Sequence, residues 1–302
     1  MGLSTITINR GQGGLNQPLP GRDHVSAILL MEETLDLLNG ADGLLSSDNV
    51  QAVKIFNVEE AEALGITSGS ANGAVLYQHI RDFFLMAPGA ELWVGECTTT
   101  NAATVTTGSW EDILTAAVEE FNDLTSGALR QMAIVHDTAN TTDTIEATVL
   151  AALQLKLSNM EAADRPLLTL IGTIYAAGTA TSGAPDLTSS DYERIVALSG
   201  SFTETAPSDT GTVNFAAPLG LVLGLVAAAA VHESIAWTGK FDGITGAGYL
   251  TPSHSSSVVD GLIDKGYLDF TTYNDLGGVY VAKSVTSAAS DSDYNRIGRA
   301  HV

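Results

Sequence analysis

Three short segments carry residue types that proteins use in catalysis or ligand binding, and the first is His232-Glu233. The pair begins the sequence HESIA, which starts like the zinc-protease helix HExxH. That motif needs a second histidine four residues after the first, because both imidazoles must reach one metal ion. Position 236 is alanine. The pair therefore indicates the polar end of a helix, and we expect no metal site.

The second candidate is the glycine-rich segment GQGG at 11–14, which follows a short strand pattern. Pro18 and Pro20 stand where a phosphate-binding loop would lead into a helix. Without a helix N-terminus, such a loop lacks the backbone donors and the dipole that hold a phosphate. WTGK at 237–240 is also unsuitable, because Phe241 follows where a P-loop needs serine or threonine. We therefore expect no nucleotide and no other cofactor.

The third candidate is His136-Asp137, directly after a predicted parallel strand. The carboxyl ends of parallel strands are where open α/β sheets bind ligands. The pair leaves open an α/β hydrolase-type enzyme or a ligand-binding module. However, no GxSxG segment occurs, and the loops after the strands are rich in Ala, Thr, Ser and Gly. Their composition favours a protein without catalysis.

Strands and helices alternate from Val50 onward. The predicted strands are 50–56, 91–97, 131–137, 167–176 and 195–199. Two predicted helices are 57–65, capped by Asn57, and 71–86. Ser109 with Asp112, Asp143 with Glu146 and Ser257 with Asp260 each mark the start of a further predicted helix. A short helix is also predicted near 188–194. This order predicts an α/β fold with a mostly parallel central sheet, helices on both faces, and a C-terminal β-hairpin around NDLGG.

The N-terminus predicts an extended arm over residues 1–20, followed by one core domain over 21–302. Thr5 to Asn9 (TITIN) reads as a strand, and the segment GQGGLNQPLPG after it has four glycines and two prolines in eleven residues. The strand pairs either with a neighbouring chain or within its own domain. Within the core domain, the low-complexity stretch 199–212 predicts a surface loop. No basic-then-apolar signal pattern opens the chain, so we expect no secretion by a signal peptide.

An uncharged run from Phe215 to Val231 raises the question of a membrane span. The run has 17 residues and contains Pro218, Gly220 and Gly224. A spanning helix needs about 20 apolar residues. The run therefore predicts a buried helix that starts near Pro218, and we expect burial of Leu221, Leu225 and Val226.

Acidic residues dominate the charge. Thirteen basic residues stand against 35 acidic ones, which gives a net charge of −22. Such a surface repels phosphate backbones and anionic lipids, so nucleic acids and membrane surfaces are excluded as partners. The one cysteine, Cys97, predicts a buried thiol, since an apolar strand surrounds it.

The order of features in the C-terminal third resembles the contractile tail sheath proteins of phage tails and related contractile injection systems. A proline-started helix of small residues ends near Trp237, and VVDGLIDKGYLDFTTYND follows at 258–275. The last matching features are Gly278, Val279 to Val281, Lys283, Asp291, Tyr294, Arg296 and Arg299. The first 95 residues match more loosely.

The resemblance implies a self-assembling structural subunit that is not an enzyme. Family members form stacked six-fold rings around a tail tube, exchange terminal strands, and contract by rigid-body rearrangement. The implied partners are further copies of the chain, a tail tube protein and baseplate proteins, in a virion tail or in the bacterial cytoplasm during assembly. The expected interface residues are Thr5, Ile6, Thr7, Ile8, Asn9, Tyr294, Arg296 and Arg299. The chain ends at Val302, so we expect the family's C-terminal arm to be missing.

Overall fold

The structure is a computed structural model of the chain. It describes residues 25–32, 38, 41–47, 50–69, 73–98, 107–136, 147–172, 184–190, 192–199, 202–205, 212–215, 217–229, 233–238, 255–276 and 278–288. The predicted N-terminal arm lies outside these residues.

Strands and helices alternate along the chain. The strands are β1 (Ser26–Glu32), β2 (Leu45–Ser46), β3 (Val50–Ile55), β4 (Leu92–Thr98), β5 (Gln131–His136), β6 (Leu168–Gly172), β7 (Ile195–Leu198), β8 (Phe202–Thr205), β9 (Thr212–Phe215), β10 (Tyr267–Leu268), β11 (Phe270–Thr271) and β12 (Tyr280–Val281). The helices are α1 (Val58–Ala63), α2 (Ala74–Met86), α3 (Thr107–Leu124), α4 (Ala147–Ala162), α5 (Leu219–Ala228) and α6 (Ser256–Ile263).

Eight strands form one mostly parallel sheet, in the order β10-β7-β6-β5-β1-β4-β3-β2. The strands from β10 to β4 run parallel, whereas β3 is antiparallel to β4 and β2 is antiparallel to β3. β1 lies in the middle, where Ser26 pairs with Leu92 of β4 and with Gln131 of β5. The predicted α/β class with a mostly parallel sheet is confirmed.

Helices cover both faces of this sheet, as predicted. Ile28 and Leu30 of β1 join an apolar cluster with residues of α1, α2 and α5. Leu29 and Met31 join a second cluster with residues of α3, α4 and α6. Because successive residues of a strand point to opposite faces, a strand covered on both faces is apolar along its length. This explains the sequence of β1, SAILLME, which the predicted alternation from Val50 did not include.

The predicted cap of α1 is confirmed. The side chain of Asn57 accepts a hydrogen bond from the backbone N–H of Glu60 (2.8 Å). The Glu60 carboxylate in turn accepts hydrogen bonds from the Asn57 side-chain amide (3.1 Å) and the Phe56 backbone N–H (2.8 Å). These contacts satisfy N–H groups that the first turn of a helix leaves without intrahelical partners.

Two other predicted caps are displaced. α3 begins at Thr107, two residues before Ser109, so Ser109 lies inside the helix. α6 begins at Ser256 with Ser255 as its N-cap, in place of the predicted Ser257. Ser255 has the extended backbone of an N-cap residue, and its side chain makes no cap hydrogen bond. Asp143 and Glu146 lie outside the described residues.

The short helix predicted near 188–194 is wrong. Residues 188–190 form a turn, and Tyr192 makes an isolated bridge with Ser287. The Asp186 carboxylate accepts hydrogen bonds from the backbone N–H (3.0 Å) and the hydroxyl (2.6 Å) of Thr188. Such local side-chain bonds compete with helix formation, which explains the turn.

Two small antiparallel ribbons accompany the main sheet. The stretch 199–212, predicted as a surface loop, contains β8 and the first residue of β9, which pair from Phe202↔Phe215 to Thr205↔Thr212. The predicted C-terminal hairpin is present as β11 and β12, where Thr271 pairs with Tyr280. Tyr267–Leu268, which we expected in the same hairpin, instead extends the main sheet as β10 beside β7.

α5 is buried from Leu219 to Ala227, as predicted. Leu221, Leu225 and Val226 are 0, 4 and 3% exposed, and Pro218 is the N-cap immediately before the helix. The chain reaches the surface after α5, where Trp237 is 52% exposed. Among the helices of the described residues, none has both the length and the apolar character that a membrane span requires.

Glycine lets α5 lie directly against the backbone of α2. A Cβ atom added at Gly220 would overlap the carbonyl oxygen of His79 and lie 2.6 Å from its Cα. A Cβ atom added at Gly224 would lie 2.7 Å from the carbonyl oxygen of Phe83. The Gly220 N–H donates a hydrogen bond to Nδ1 of His79 (3.3 Å). The absence of side chains at these two glycines therefore allows the two helices to pack closely.

Ser287 anchors the last described segment to the sheet. Its backbone N–H donates to the Ile195 carbonyl (2.9 Å), and its own carbonyl accepts from the Tyr192 N–H (3.2 Å). Its hydroxyl donates to the Gly266 carbonyl (3.0 Å) and accepts from the Ala197 N–H (3.2 Å). Ser287 is fully buried. These bonds hold residues 284–288 beside β7.

We predict that Ser287→Ala lowers the free energy of unfolding by about 2 kcal/mol, because two buried backbone groups lose their hydroxyl partner. Urea denaturation of the full chain measures this. Ser189→Ala is the matched control, since the Ser189 hydroxyl is exposed and makes one exposed hydrogen bond, to the Asp186 carbonyl. Equal losses in the two variants would contradict the proposed anchor.

Candidate assembly surfaces

The carboxyl ends of β1, β4 and β5 meet at one edge of the sheet, where α/β proteins commonly bind ligands. His136 is the last residue of β5 and pairs with Met31 of β1. The structure therefore places His136 at the edge that the sequence predicted. Asp137 lies outside the described residues, so the predicted His136-Asp137 site stays a prediction.

A buried carboxylate that sequence reasoning missed, Glu96, lies near the same edge. Glu96 of β4 is fully buried and pairs in register with Leu30 of β1. Its Oε1 atom accepts a hydrogen bond from the backbone N–H of Leu38 (3.2 Å). The contact ties the segment after β1 to the sheet. Among the described side chains, no three His, Cys, Asp or Glu residues converge in a way that could hold a metal ion. Cys97 is buried, as predicted.

An exposed cationic and aromatic patch lies on β3 and β4 at the opposite end of β4. We call Lys54, Phe56 and Trp93 the Lys54 patch. The Lys54 ammonium lies 5.4 Å from the centre of the Phe56 ring and 5.7 Å from that of Trp93. Phe56 is 42% exposed, and the Trp93 indole N–H donates to the Glu91 carboxylate (3.0 Å). Exposed aromatic residues beside a cation are typical of protein contacts.

A second exposed apolar surface is the tip of the β11–β12 hairpin. Tyr273 and Leu276 are 42% and 43% exposed, and the Leu276 N–H donates to the Tyr273 carbonyl (3.1 Å) within the turn. The Tyr273 ring packs against the buried Tyr280 ring with 5.6 Å between centres. The tip therefore presents large apolar side chains that are held in place by a buried neighbour, as a contact surface does.

The expected interface residues belong to parts of the chain that the structure does not describe. Thr5, Ile6, Thr7, Ile8 and Asn9, together with Tyr294, Arg296 and Arg299, lie outside the described residues. The nearest described part of the same sequence pattern is β12 with Lys283, which is exposed. The interface assigned to these residues stays a prediction.

The family model for the DUF2586 N-terminal domain matches residues 44–284. This covers most of the chain, from the edge strand β2 to the hairpin β11–β12, and every strand of the main sheet except the central β1. Among curated proteins, none matches the sequence.

Solved structures share the fold, and two of them come from the anti-feeding prophage. One is a chain of the anti-feeding prophage helical sheath in the contracted state, with a TM-score of 0.52 and 13% identity over 91% of this chain. The other is a chain of the anti-feeding prophage baseplate in the contracted state, with a TM-score of 0.53 and 17% identity over 98% of this chain. The matches span 65% of the sheath chain and 73% of the baseplate chain. The predicted likeness to a contractile sheath is therefore confirmed at the level of the fold.

Proposed function

The chain belongs to the DUF2586 family, and from the fold that it shares with a contractile sheath we propose that it is a structural subunit of a contractile tail sheath. The observation that carries the proposal is the likeness to the helical sheath chain over 91% of this chain. The proposed unit assembles as stacked six-fold rings around a tail tube and acts without catalysis. Its proposed partners are further copies of itself, a tail tube protein and baseplate proteins, in the tail of a phage or of an injection system.

The buried core suits a subunit that moves as one body. The sheet is covered on both faces, and α5 packs against the backbone of α2 at Gly220 and Gly224. Close-packed interiors transmit force and have low compressibility. In the proposed mechanism, contraction therefore changes the contacts between subunits and leaves each core unchanged.

The proposed link between subunits is the N-terminal strand Thr5 to Asn9. An extended segment on a glycine-rich tether can add to the open edge of a sheet in a neighbouring chain, where backbone hydrogen bonds supply the affinity. Tyr294, Arg296 and Arg299 belong to the same proposed interface at the other end of the chain. The alternative, in which the N-terminal strand pairs within its own domain, gives a different result in the experiment below.

Electron microscopy of the purified full chain tests the proposal. We expect rods, tubes or rings with six-fold symmetry. A protein that stays monomeric from low to high salt would overturn the assignment. A variant without residues 1–20 is expected to lose long assemblies while its circular dichroism spectrum stays unchanged. Ile6→Pro is the matched point variant, because proline removes one backbone donor from the strand. An altered spectrum or a less stable monomer in these variants would favour pairing within the domain.

A baseplate subunit with a sheath-like fold is the second candidate. The likeness to the baseplate chain extends over 98% of this chain, at a TM-score equal within 0.01 to that for the sheath chain. The two candidates differ in how assembly ends. A sheath subunit polymerises into tubes of variable length, whereas a baseplate subunit stops at one closed ring or binds only in the presence of its partners. The length distribution in the same micrographs distinguishes them.

A further inference from the structure

The Lys54 patch holds an exposed cation beside aromatic rings, whereas several other cations of the described structure are paired with carboxylates. Four cations form ion pairs with carboxylates of the same chain, namely Arg81 with Asp82, Lys156 with Glu119, Arg165 with Asp123 and Arg194 with Glu161. Lys54 is in none of these pairs, and aromatic rings flank its ammonium instead. In a chain with 35 acidic and 13 basic residues, an exposed lysine held in this way is available to a carboxylate from outside.

The same patch lies beside an open sheet edge. β2 pairs with β3 only through Leu45↔Ala52 and Ser46↔Gln51. Among the described residues, no strand pairs with Val53 to Ile55 on that side. An exposed edge offers backbone donors and acceptors, and a lysine on the edge discourages unspecific pairing between strands. Phe56, directly after β3, adds exposed apolar area to this edge.

We propose that the Lys54 patch binds a carboxylate-bearing surface of a second copy of this chain. Two copies that each carry a net charge of −22 repel one another. A stable contact therefore needs a cation of one copy placed against carboxylates of the other, and Lys54 supplies it with two aromatic rings that exclude water. The inference deepens the proposed function, because it names one contact of the proposed assembly and rests on self-association of the chain.

Photo-crosslinking of the full chain tests the contact. Benzoylphenylalanine in place of Phe56 keeps an aromatic ring and reacts with the neighbouring protein on illumination. We expect a covalent dimer of the chain at moderate salt, which screens the repulsion between two acidic copies. We expect Lys54→Gln to raise the concentration for half-maximal assembly by about tenfold, whereas Lys54→Arg keeps the charge and stays within about twofold of the unmodified chain.

A second pair of variants separates the patch from exposed apolar area in general. Phe56→Ala is expected to weaken assembly, and Leu155→Ala is the control, since Leu155 is a single exposed apolar residue on α4 (65% exposed). If the chain assembles but Lys54→Gln and Phe56→Ala assemble equally well, this inference fails and the proposed function stands. If position 56 crosslinks only to a different protein, a second copy is the wrong partner. If the unmodified chain never self-associates, both proposals fail.

Discussion

Gly220→Ala is expected to lower the free energy of unfolding by about 3 kcal/mol, the largest effect of any single methyl group that we predict for this chain. The added Cβ would overlap the His79 carbonyl oxygen and lie 2.6 Å from the Cα of the same residue. Both atoms belong to the backbone of α2, so no side-chain rotation relieves the overlap. α5 would have to move away from α2, and the Gly220 N–H would lose its hydrogen bond to His79.

Thermal and urea denaturation measure this effect, with Gly69→Ala as the control. No heavy atom lies within 4 Å of a Cβ added at Gly69, and that glycine does not have a left-handed backbone. Gly224→Ala should also destabilise the protein, since its Cβ would lie 2.7 Å from the Phe83 carbonyl oxygen. If Gly220→Ala unfolds at the same urea concentration as Gly69→Ala, the two helices do not pack as closely as the structure shows.

These glycines explain why α5 is apolar on all sides. The sheet contacts one side of the helix and α2 contacts another, so no side of α5 requires a polar residue. The sequence of such an apolar run resembles that of a membrane helix. Its length and its glycines point to an interior helix, and the structure agrees.

Elements with local signals could be predicted from the sequence. Asn57 with Glu60 marks the start of α1, because the cap contacts residues only three positions away. The periodic apolar residues of α2 and α3 predicted their helices for the same reason. Burial of Leu221 and Leu225 followed from a run without any charge.

Features that depend on distant partners could not be predicted. β1 has no alternation, because helices cover both of its faces. The Lys54 patch joins residues that are 39 positions apart in the chain, through the pairing of Lys54 with Trp93. Only the antiparallel register of β3 and β4 brings these side chains together. An exposed lysine in a strand is otherwise an ordinary sequence feature.

His79 makes the packing of α2 on α5 sensitive to pH. Burial lowers the pKa of the His79 imidazole from 6.5 to about 4, and the side chain is 4% exposed. In the folded state the neutral ring accepts a hydrogen bond from the Gly220 N–H. In the unfolded chain the same imidazole binds a proton with its ordinary pKa of about 6.5. Above pH 6.5 the imidazole is neutral in both states and does not affect the free energy of unfolding. That free energy falls as the pH decreases from 6.5 towards 4. The full loss is about 3 kcal/mol, of which about 2 kcal/mol is reached at pH 5.

His79→Asn isolates this loss, since the Asn side-chain oxygen can accept the same N–H and does not titrate. The free energy of unfolding of both proteins is measured by urea denaturation at pH 7 and pH 5, which stays above the isoelectric point of about 4.3. Carboxylates contribute equally to both proteins, so their difference reports His79 alone. We expect the unmodified chain to lose about 2 kcal/mol more than the variant between the two pH values. Equal losses would mean that the folded imidazole binds a proton as readily as the unfolded one, so that Nδ1 could not accept the Gly220 N–H at pH 5.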